Sequence, residues 1–210
     1  MKVLKIITAP DPLLDTPSKN VLKIDTRIRK LIEDMEATLV VQSDPQGVGL
    51  AAVQIGMPLA LFIMKENPKA KTQVFINPKL ITNDELRIMN NESDDADFLR
   101  LGGGAGTSTT TELKKSASND QKPKSTTKSS LEGCLSVPRI WSPIKRNKKV
   151  SIHFLDITGI EKTAELTGLK ATIVQHELDH LAGILFTRRA LEQKSQLFEE
   201  VNGKLKKMKY

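Results

Sequence analysis

The sequence predicts a fold that combines α-helices with β-strands in one domain, and three observations support this class. Residues 26–44 place apolar side chains at three- and four-residue spacing, which is typical of an amphipathic helix. The apolar segments LALFIMKE and TQVFINPKL are joined by the short run NPKAK, which indicates a pair of strands. Residues 169–186 form a longer, strongly apolar segment of helical length. A chain of 210 residues is long enough to bury one such core.

The first part of the chain is predicted to contain one helix followed by the two strands. The apolar stripe of the helix at 26–44 consists of Ile28, Leu31, Ile32, Met35 and Leu39. The segment PQGVGLAAVQIG comes next, and its glycines at 47, 49 and 56 bracket a run of small apolar residues. The strand pair then leads to a change in composition near residue 83.

Residues 83–130 differ in composition from the rest of the chain. They contain GGGAG and TSTTTELKKSASNDQKPKSTTKSS, which are polar and low in complexity. Such a segment cannot bury enough apolar surface to offset the entropy lost on ordering. We therefore interpret 83–130 as a surface insertion within a single domain that spans 1–210. We predict that residues 101–130 are mobile and dispensable for chemistry.

The part of the chain after the insertion is predicted to contain two strands and two helices. KKVSIHFLDITG indicates a strand with Val150, Ile152 and Phe154 on one face, and EKTAELTG indicates its partner beyond a turn. LKATIVQHELDHLAGILF indicates a buried helix. The charged residues at about 188–207 are interpreted as a final helix.

The composition, 39% hydrophobic and 27% charged residues, is that of a soluble globular protein. No apolar run approaches the ~20 residues that cross a bilayer, and VLKII is too short for the core of a signal peptide. The single cysteine, Cys134, excludes an internal disulfide and fits a reducing compartment. We therefore expect a cytoplasmic protein. Its net charge of +7 agrees either with a solubilising lysine-rich surface or with attraction to a polyanion such as RNA.

The segment VQHELDHLAG contains half of a metal site. On a helix, His176 and His180 lie on the same face, so they can bind one ion together. Glu177 then lies beside that ion, where a carboxylate can move protons. A catalytic zinc-type ion normally takes three protein ligands and keeps one position for water, so a third ligand is needed.

Two kinds of third ligand remain open on the residues alone. A metzincin extension of the motif is excluded, because Phe186 stands where the third histidine is required. A downstream glutamate, Glu199 or Glu200, has a spacing that would suit a metallopeptidase. Alternatively Cys134, in EGCLSVP, offers a thiolate that suits zinc or ferrous iron. A further alternative is a metal-stabilised module without activity, for which His153 is the spare histidine.

Three segments in a fixed order, GVGLAAVQ (47–54), EGCLS (132–136) and HELDH (176–180), resemble the peptide deformylases. These enzymes remove the formyl group from the initiator methionine of new bacterial polypeptides. The resemblance extends to APDPLL, INP and HLAGILF and covers the chain outside 83–130, while RIWSPIKR after the second segment is unusual. It implies an α+β fold in which small antiparallel sheets wrap around the HExxH helix, with N-terminal and C-terminal helices. The C-terminal helix would mark the bacterial type.

The resemblance also implies a set of functional residues. These are the metal ligands Cys134, His176 and His180, the general base and acid Glu177, the oxyanion donors Gln54 and the backbone N–H of Leu135, and Val48 and Gly49 beside the extended substrate. The implied metal is Fe²⁺, with Zn²⁺, Ni²⁺ and Co²⁺ as alternatives that suit the same ligands. General chemistry agrees, since an ion with three protein ligands activates water and an amide stabilises an oxyanion.

The implied partners are formylmethionyl nascent peptides, and neither membrane nor DNA is expected. The predicted last helix is basic at both ends and makes transient ribosome contact an additional hypothesis. Its basic residues are Arg188, Arg189, Lys204, Lys206, Lys207 and Lys209.

Overall fold

A computed structural model describes residues 1–43, 46–67, 69–82, 85 and 127–209. Residues 1–80 and 126–210 form one compact unit, and 81–125 form another. In the described part of the second unit, Thr82 N–H donates to a Glu85 carboxylate oxygen at 2.6 Å. Most of the predicted insertion lies outside the described residues, so its mobility stays a prediction. Residues 127–130, in contrast, are part of a strand, so the insertion ends earlier than its composition indicated.

The structure describes three α-helices and nine strands, and seven of the strands follow one another between the first helix and the second. In order they are α1 (Thr26–Val40), β1 (Gly49–Ala51), β2 (Leu61–Met64), β3 (Gln73–Ile81), β4 (Thr127–Cys134), β5 (Val137–Asn147), β6 (Lys149–Leu155), β7 (Glu161–Thr167), α2 (Gly168–Leu181), α3 (Phe186–Glu192), β8 (Phe198–Val201) and β9 (Lys204–Lys207). Short 3₁₀ helices occupy Pro12–Asp15 and Ala52–Ile55. The strands form two sheets, in the orders β1-β2-β3-β6-β7 and β4-β5-β8-β9. The α+β class is therefore confirmed.

The five-stranded sheet carries a helix on each face. All four side chains of β2 are buried, and they alternate between the faces as strand geometry requires. Leu61 and Ile63 join a core cluster with residues of α1, whereas Phe62 and Met64 join a cluster with residues of α2. The antiparallel pairing of β2 with β3, in which Leu61 faces Ile76, confirms the predicted strand pair.

Helix α1 begins where the sequence predicts and ends earlier. The Asp25 carboxylate accepts hydrogen bonds from the N–H groups of Arg27 and Ile28 at 2.9 and 3.1 Å, which caps the first turn. The stripe predicted from periodicity is turned toward the sheet, with Ile32, Met35 and Leu39 fully buried or nearly so. The helix ends at Val40, four residues before the predicted end at 44.

The predicted strands after the insertion are also confirmed. β6 and β7 pair antiparallel, with Val150 opposite Leu166. Val150, Ile152 and Phe154 lie in the core cluster under α2, as their alternation predicted. Helix α2, however, ends at Leu181 rather than 186. Gly183 has a φ of +70°, and a Cβ there would lie 2.6 Å from the Asp15 carbonyl oxygen, so this glycine ends the helix against the N-terminal segment.

The predicted C-terminal helix at 188–207 is wrong. Helix α3 ends at Glu192, and β8 and β9 form an antiparallel hairpin. Asn202 and Gly203, in its two-residue turn, have φ values of 52° and 70°, which are typical of a type I′ turn. The helix that was expected to mark the bacterial type is therefore replaced by strands. No helix in the described ranges is long and apolar enough to span a membrane.

Candidate active site

A cavity of about 250 Å³ opens between the segment that leads into β1, the end of β4 and helix α2. It brings together residues from the three sequence segments, which are far apart in the chain. Its lining includes seven of the residues predicted for the site: Val48, Gly49, Gln54, Cys134, Leu135, His176 and Glu177. The eighth, His180, is buried, with its Nε2 at 3.2 Å from the Cys134 sulfur.

Cys134, His176 and His180 form a compact group of three potential metal ligands. One donor atom from each residue lies within 4.8 Å of the other two, and both histidines come from successive turns of α2. Among the residues that the structure describes, no other group of three His, Cys, Asp or Glu side chains meets this condition. The alternative ligands Glu199 and Glu200 lie on β8 and are not part of the group.

The electrostatics of this group favour a cation among the three side chains. Burial alone would raise the pKa of the Cys134 thiol, but His180 and His176 outweigh burial and hold the pKa well below its ordinary value. Burial alone would lower the pKa of His176, but hydrogen bonds to Cys134 and Glu132 raise it well above its ordinary value. A thiolate beside two imidazoles is also a donor set that suits a divalent transition metal. The residues present therefore fit the metal that the resemblance implies.

A chain of ion pairs that the sequence did not predict contacts His176 at its Nδ1 atom. Glu132 Oε2 lies 3.1 Å from His176 Nδ1. Arg146 donates to both carboxylate oxygens of Glu132, from Nη2 to Oε2 at 3.1 Å and from Nε to Oε1 at 3.0 Å. Arg146 Nη1 donates to Asp179 at 2.5 Å, and Asp179 in turn accepts from Arg189 at 2.7 Å. These partners fix the imidazole orientation. The signal in the sequence was an acidic residue in each of two segments that also carry metal-ligand candidates, Glu132 in EGCLS and Asp179 in HELDH.

Glu177 is enclosed at the cavity wall. Its side chain is nearly fully buried, and burial raises the pKa of its carboxyl from 4.5 to about 7. The Oε2 atom has no hydrogen-bond partner among the described residues. Gly49 permits this position, because a Cβ on Gly49 would overlap the Glu177 carboxylate. The glycine is thus required by the neighbouring carboxylate and not by an unusual backbone angle.

Gln54 points its amide nitrogen toward the metal-ligand group. Its Oε1 accepts from the Ala51 N–H at 2.9 Å, and this bond fixes which end of the amide faces inward. The Nε2 then donates to Ser136 Oγ at 3.1 Å and lies 3.6 Å from the Cys134 sulfur. Leu135 is in the turn between β4 and β5, at the cavity rim.

Comparison with known proteins decides the family. The family model described as polypeptide deformylase matches residues 3–196. This chain belongs to the peptide deformylase family. Among curated peptide deformylases, that of Mesorhizobium japonicum is 32% identical over 212 residues, covering 100% of this chain and 96% of the relative. That of Rhizobium meliloti is 33% identical over 189 residues, and the match covers 89% of this chain and 84% of the relative.

Solved peptide deformylase structures share the fold. The structure from Thermotoga maritima is 28% identical, has a TM-score of 0.64, and the match covers 90% of this chain and 98% of that one. The structure from Ehrlichia chaffeensis, solved in complex with actinonin, is 30% identical and has a TM-score of 0.64. The match covers 90% of this chain and 89% of that one.

Peptide deformylases are metal-dependent hydrolases that remove the N-formyl group from the initiator methionine of newly made polypeptides, and this chain has that activity. The prediction drawn from the three segments is therefore confirmed. The metallopeptidase with Glu199 or Glu200 as a ligand and the metal-stabilised module without activity were alternatives, and both are wrong.

Proposed function

We propose that Cys134, His176 and His180 bind one divalent ion, Fe²⁺, and that deformylation takes place in the cavity beside them. The observation that carries this proposal is the close approach of the three donor atoms around a buried thiolate. When bound, the ion supplies a Lewis acid that activates water and polarises the formyl carbonyl. The expected wrapping of both sheets around α2 is part of the proposal, and contacts of α2 with β4 and β5 through His180 and Asp179 support it.

The test is a deformylation assay on formyl-Met-Ala-Ser combined with metal analysis of protein purified without oxygen. We expect turnover of the peptide and iron in the protein. Protein that turns over the peptide but contains only zinc or nickel would contradict the assignment of Fe²⁺ and leave the ligand assignment intact.

Glu177 is the proposed proton carrier. Its carboxylate accepts a proton from the attacking water and later delivers the proton to the departing amine of methionine. Two observations support this role. The carboxyl lies in the wall of the same cavity as Cys134, and a pKa of about 7 lets it both accept and release a proton near neutral pH.

Gln54 and the backbone N–H of Leu135 are the proposed donors to the oxyanion. As the formyl carbon becomes tetrahedral, its oxygen gains negative charge, and preorganised donors stabilise that charge. The bond from Ala51 N–H to Gln54 Oε1 keeps the amide nitrogen directed at the cavity, so the donor needs no rearrangement during the reaction.

Gln54→Ala is expected to reduce kcat about 10²–10³-fold, because the loss of one oxyanion donor costs ~2.7–4 kcal/mol. The melting temperature should also fall, since the buried Ala51 N–H loses its acceptor, at a cost of ~1–3 kcal/mol. Activity is therefore measured well below the melting temperature. Ser136→Ala, which removes a neighbouring hydroxyl but leaves the Gln54 amide, is the control. Full kcat in the less stable Gln54→Ala protein would contradict the role.

Val48 and Gly49 are proposed to bind the substrate backbone. β1 is an edge strand of the five-stranded sheet, so one side of it is open to an added extended peptide. Both residues line the cavity, as does Leu135. An extended formylmethionyl chain in this groove would bring its first residue beside Glu177.

The basic C-terminal hairpin is the proposed ribosome contact, and we propose the cytoplasm as the compartment because the substrate is a nascent chain. The residues of β9 are all exposed, and three of its four residues are Lys204, Lys206 and Lys207. Arg189, in contrast, forms an ion pair with Asp179. The helix that was predicted to be basic at both ends is wrong, and its lysine-rich end is instead the edge strand β9.

Changing Lys204, Lys206 and Lys207 together to Gln is expected to weaken co-sedimentation with ribosomes at low salt. The slope of log affinity against log salt should shrink by about 0.7–0.9 for each phosphate that the variant no longer neutralises. Changing the exposed Lys2, Lys5 and Lys23 to Gln removes the same charge elsewhere and serves as the control. If both triple variants sediment equally, the hairpin does not bind the ribosome.

A further inference from the structure

We propose that Trp141 determines which N-terminal side chain the cavity accepts, and that Glu200 on the C-terminal hairpin is the positioning residue that holds the indole in place. The proposal rests on the proposed substrate site and adds a specificity wall to it. Trp141 lies in RIWSPIKR, the segment that departs from the family pattern, and it is the only tryptophan of the chain.

The indole of Trp141 lies flat against the strand that leads to Cys134. Trp141 and Gly133 are directly opposite each other across β4 and β5. A Cβ on Gly133 would lie 2.8 Å from Trp141 Cζ3 and 2.9 Å from Cε3, so only glycine allows the ring to pack this closely. Trp141 therefore forms cavity wall immediately beside a proposed metal ligand.

Several other residues that line the same cavity as Trp141 are apolar. Leu131, two residues before Gly133 on β4, lines the same cavity and projects from the same face of the strand. Helix α2 contributes Leu169 and Ile173 to the lining. A volume of about 250 Å³ is below the ~300–1,000 Å³ of sites for drug-sized ligands, so the cavity suits one side chain and its adjoining backbone. A flexible thioether side chain fits an apolar wall with an aromatic ring.

Glu200 fixes the indole through the only hydrogen-bond donor that an indole has. The Trp141 Nε1–H donates to Glu200 Oε2 at 2.9 Å. Arg139 donates from Nε and Nη2 to the Glu200 carbonyl at 3.0 and 2.8 Å, so the backbone of Glu200 is also tied to β5. Glu199, the preceding residue, is exposed and projects from the other face of β8.

A consequence is that the C-terminal hairpin takes part in substrate selection. If the carboxylate of Glu200 is removed, the indole loses its anchor and the wall can shift. Larger side chains should then enter the cavity, while the metal ligands and Glu177 keep their positions. The expected effect is therefore on KM and on the ratio between substrates, and kcat for the preferred substrate should change little.

The experiment measures kcat and KM of the metal-loaded full chain on formyl-Met-Ala-Ser and formyl-Phe-Ala-Ser. For Trp141→Ala, the preference for Met over Phe in kcat/KM should fall at least about tenfold. For Glu200→Leu it should fall about threefold or more, mainly through KM. Glu200→Gln keeps a carbonyl acceptor and should restore most of the preference, and Glu199→Leu should leave it unchanged. Unchanged preference in both Trp141→Ala and Glu200→Leu would overturn the proposal, as would an equal effect of Glu199→Leu.

Fluorescence of the single tryptophan gives a second readout that does not depend on turnover. In a Glu177→Gln background, formyl-Met-Ala-Ser should change the emission of Trp141, and Glu200→Leu should shift the emission of the free protein. No emission change on saturation with peptide would overturn the placement of Trp141 in the substrate cavity. Both fluorescence tests use proteins that keep Trp141, so they remain valid if the Trp141→Ala variant fails to fold. Failure of the unmodified protein to turn over either peptide would count against the proposed function itself, not against the role of Trp141.

Discussion

Glu177→Gln is expected to lower kcat on formyl-Met-Ala-Ser by about 10²–10⁴-fold while the metal stays bound. Glutamine has the shape of glutamate, but it cannot accept the proton of the attacking water or pass a proton to the departing amine. The three proposed metal ligands are untouched by the change. The melting temperature should not fall, because Glu177 Oε2 has no hydrogen-bond partner among the described residues that the variant could lose.

The measurement combines steady-state kinetics with metal content and thermal unfolding of the same preparation. Glu165→Gln is the control, because Glu165 is an exposed residue of β7 that forms an ion pair with Lys149 and does not line the cavity. Near-normal turnover by Glu177→Gln would remove the proton-carrier role. A loss of metal together with activity would instead make Glu177 a residue of the metal site.

Cys134→Ala is expected to abolish both metal binding and deformylation. Two imidazoles remain after the change, and two neutral nitrogen ligands hold a catalytic ion much more weakly than a set completed by a thiolate. The loss of the buried thiolate also removes the negative charge that favours a cation between His176 and His180.

Metal content by elemental analysis, with Glu199→Ala as the matched control, checks this expectation. Cys134 is the only cysteine of the chain, so no second thiol can replace it. Glu199→Ala should keep a full equivalent of metal, because Glu199 is not part of the ligand group. Retention of metal by Cys134→Ala would contradict the ligand assignment.

The sequence alone predicted those helices and strands in which apolar residues recur with the period of the element. Helix α1 and strands β2, β3, β6 and β7 form where alternation or helical spacing placed them, because each buries one side or both against the same core. The helix predicted at 188–207 is wrong, because the charged residues there have no clear apolar stripe that would distinguish a helix from strands. The Asn202-Gly203 pair was the local signal for a hairpin, and the pairing of Phe198 with Trp141 on a distant strand stabilises it.

The sequence by itself determined the family, through three segments in a fixed order. It also determined half of the metal site, because His176 and His180 lie on consecutive turns of a single helix. Residue chemistry left Cys134 as one of two kinds of third ligand, and only the resemblance chose it and identified Gln54. Tertiary structure alone decided that Arg146 joins Glu132 to Asp179, and that Glu200 anchors Trp141 across 59 residues of sequence. Helix spacing is fixed by local backbone geometry, whereas contacts between distant strands, or between a strand and a helix, depend on how their surfaces pack. The periodicity of a single strand or helix carries no information about that packing.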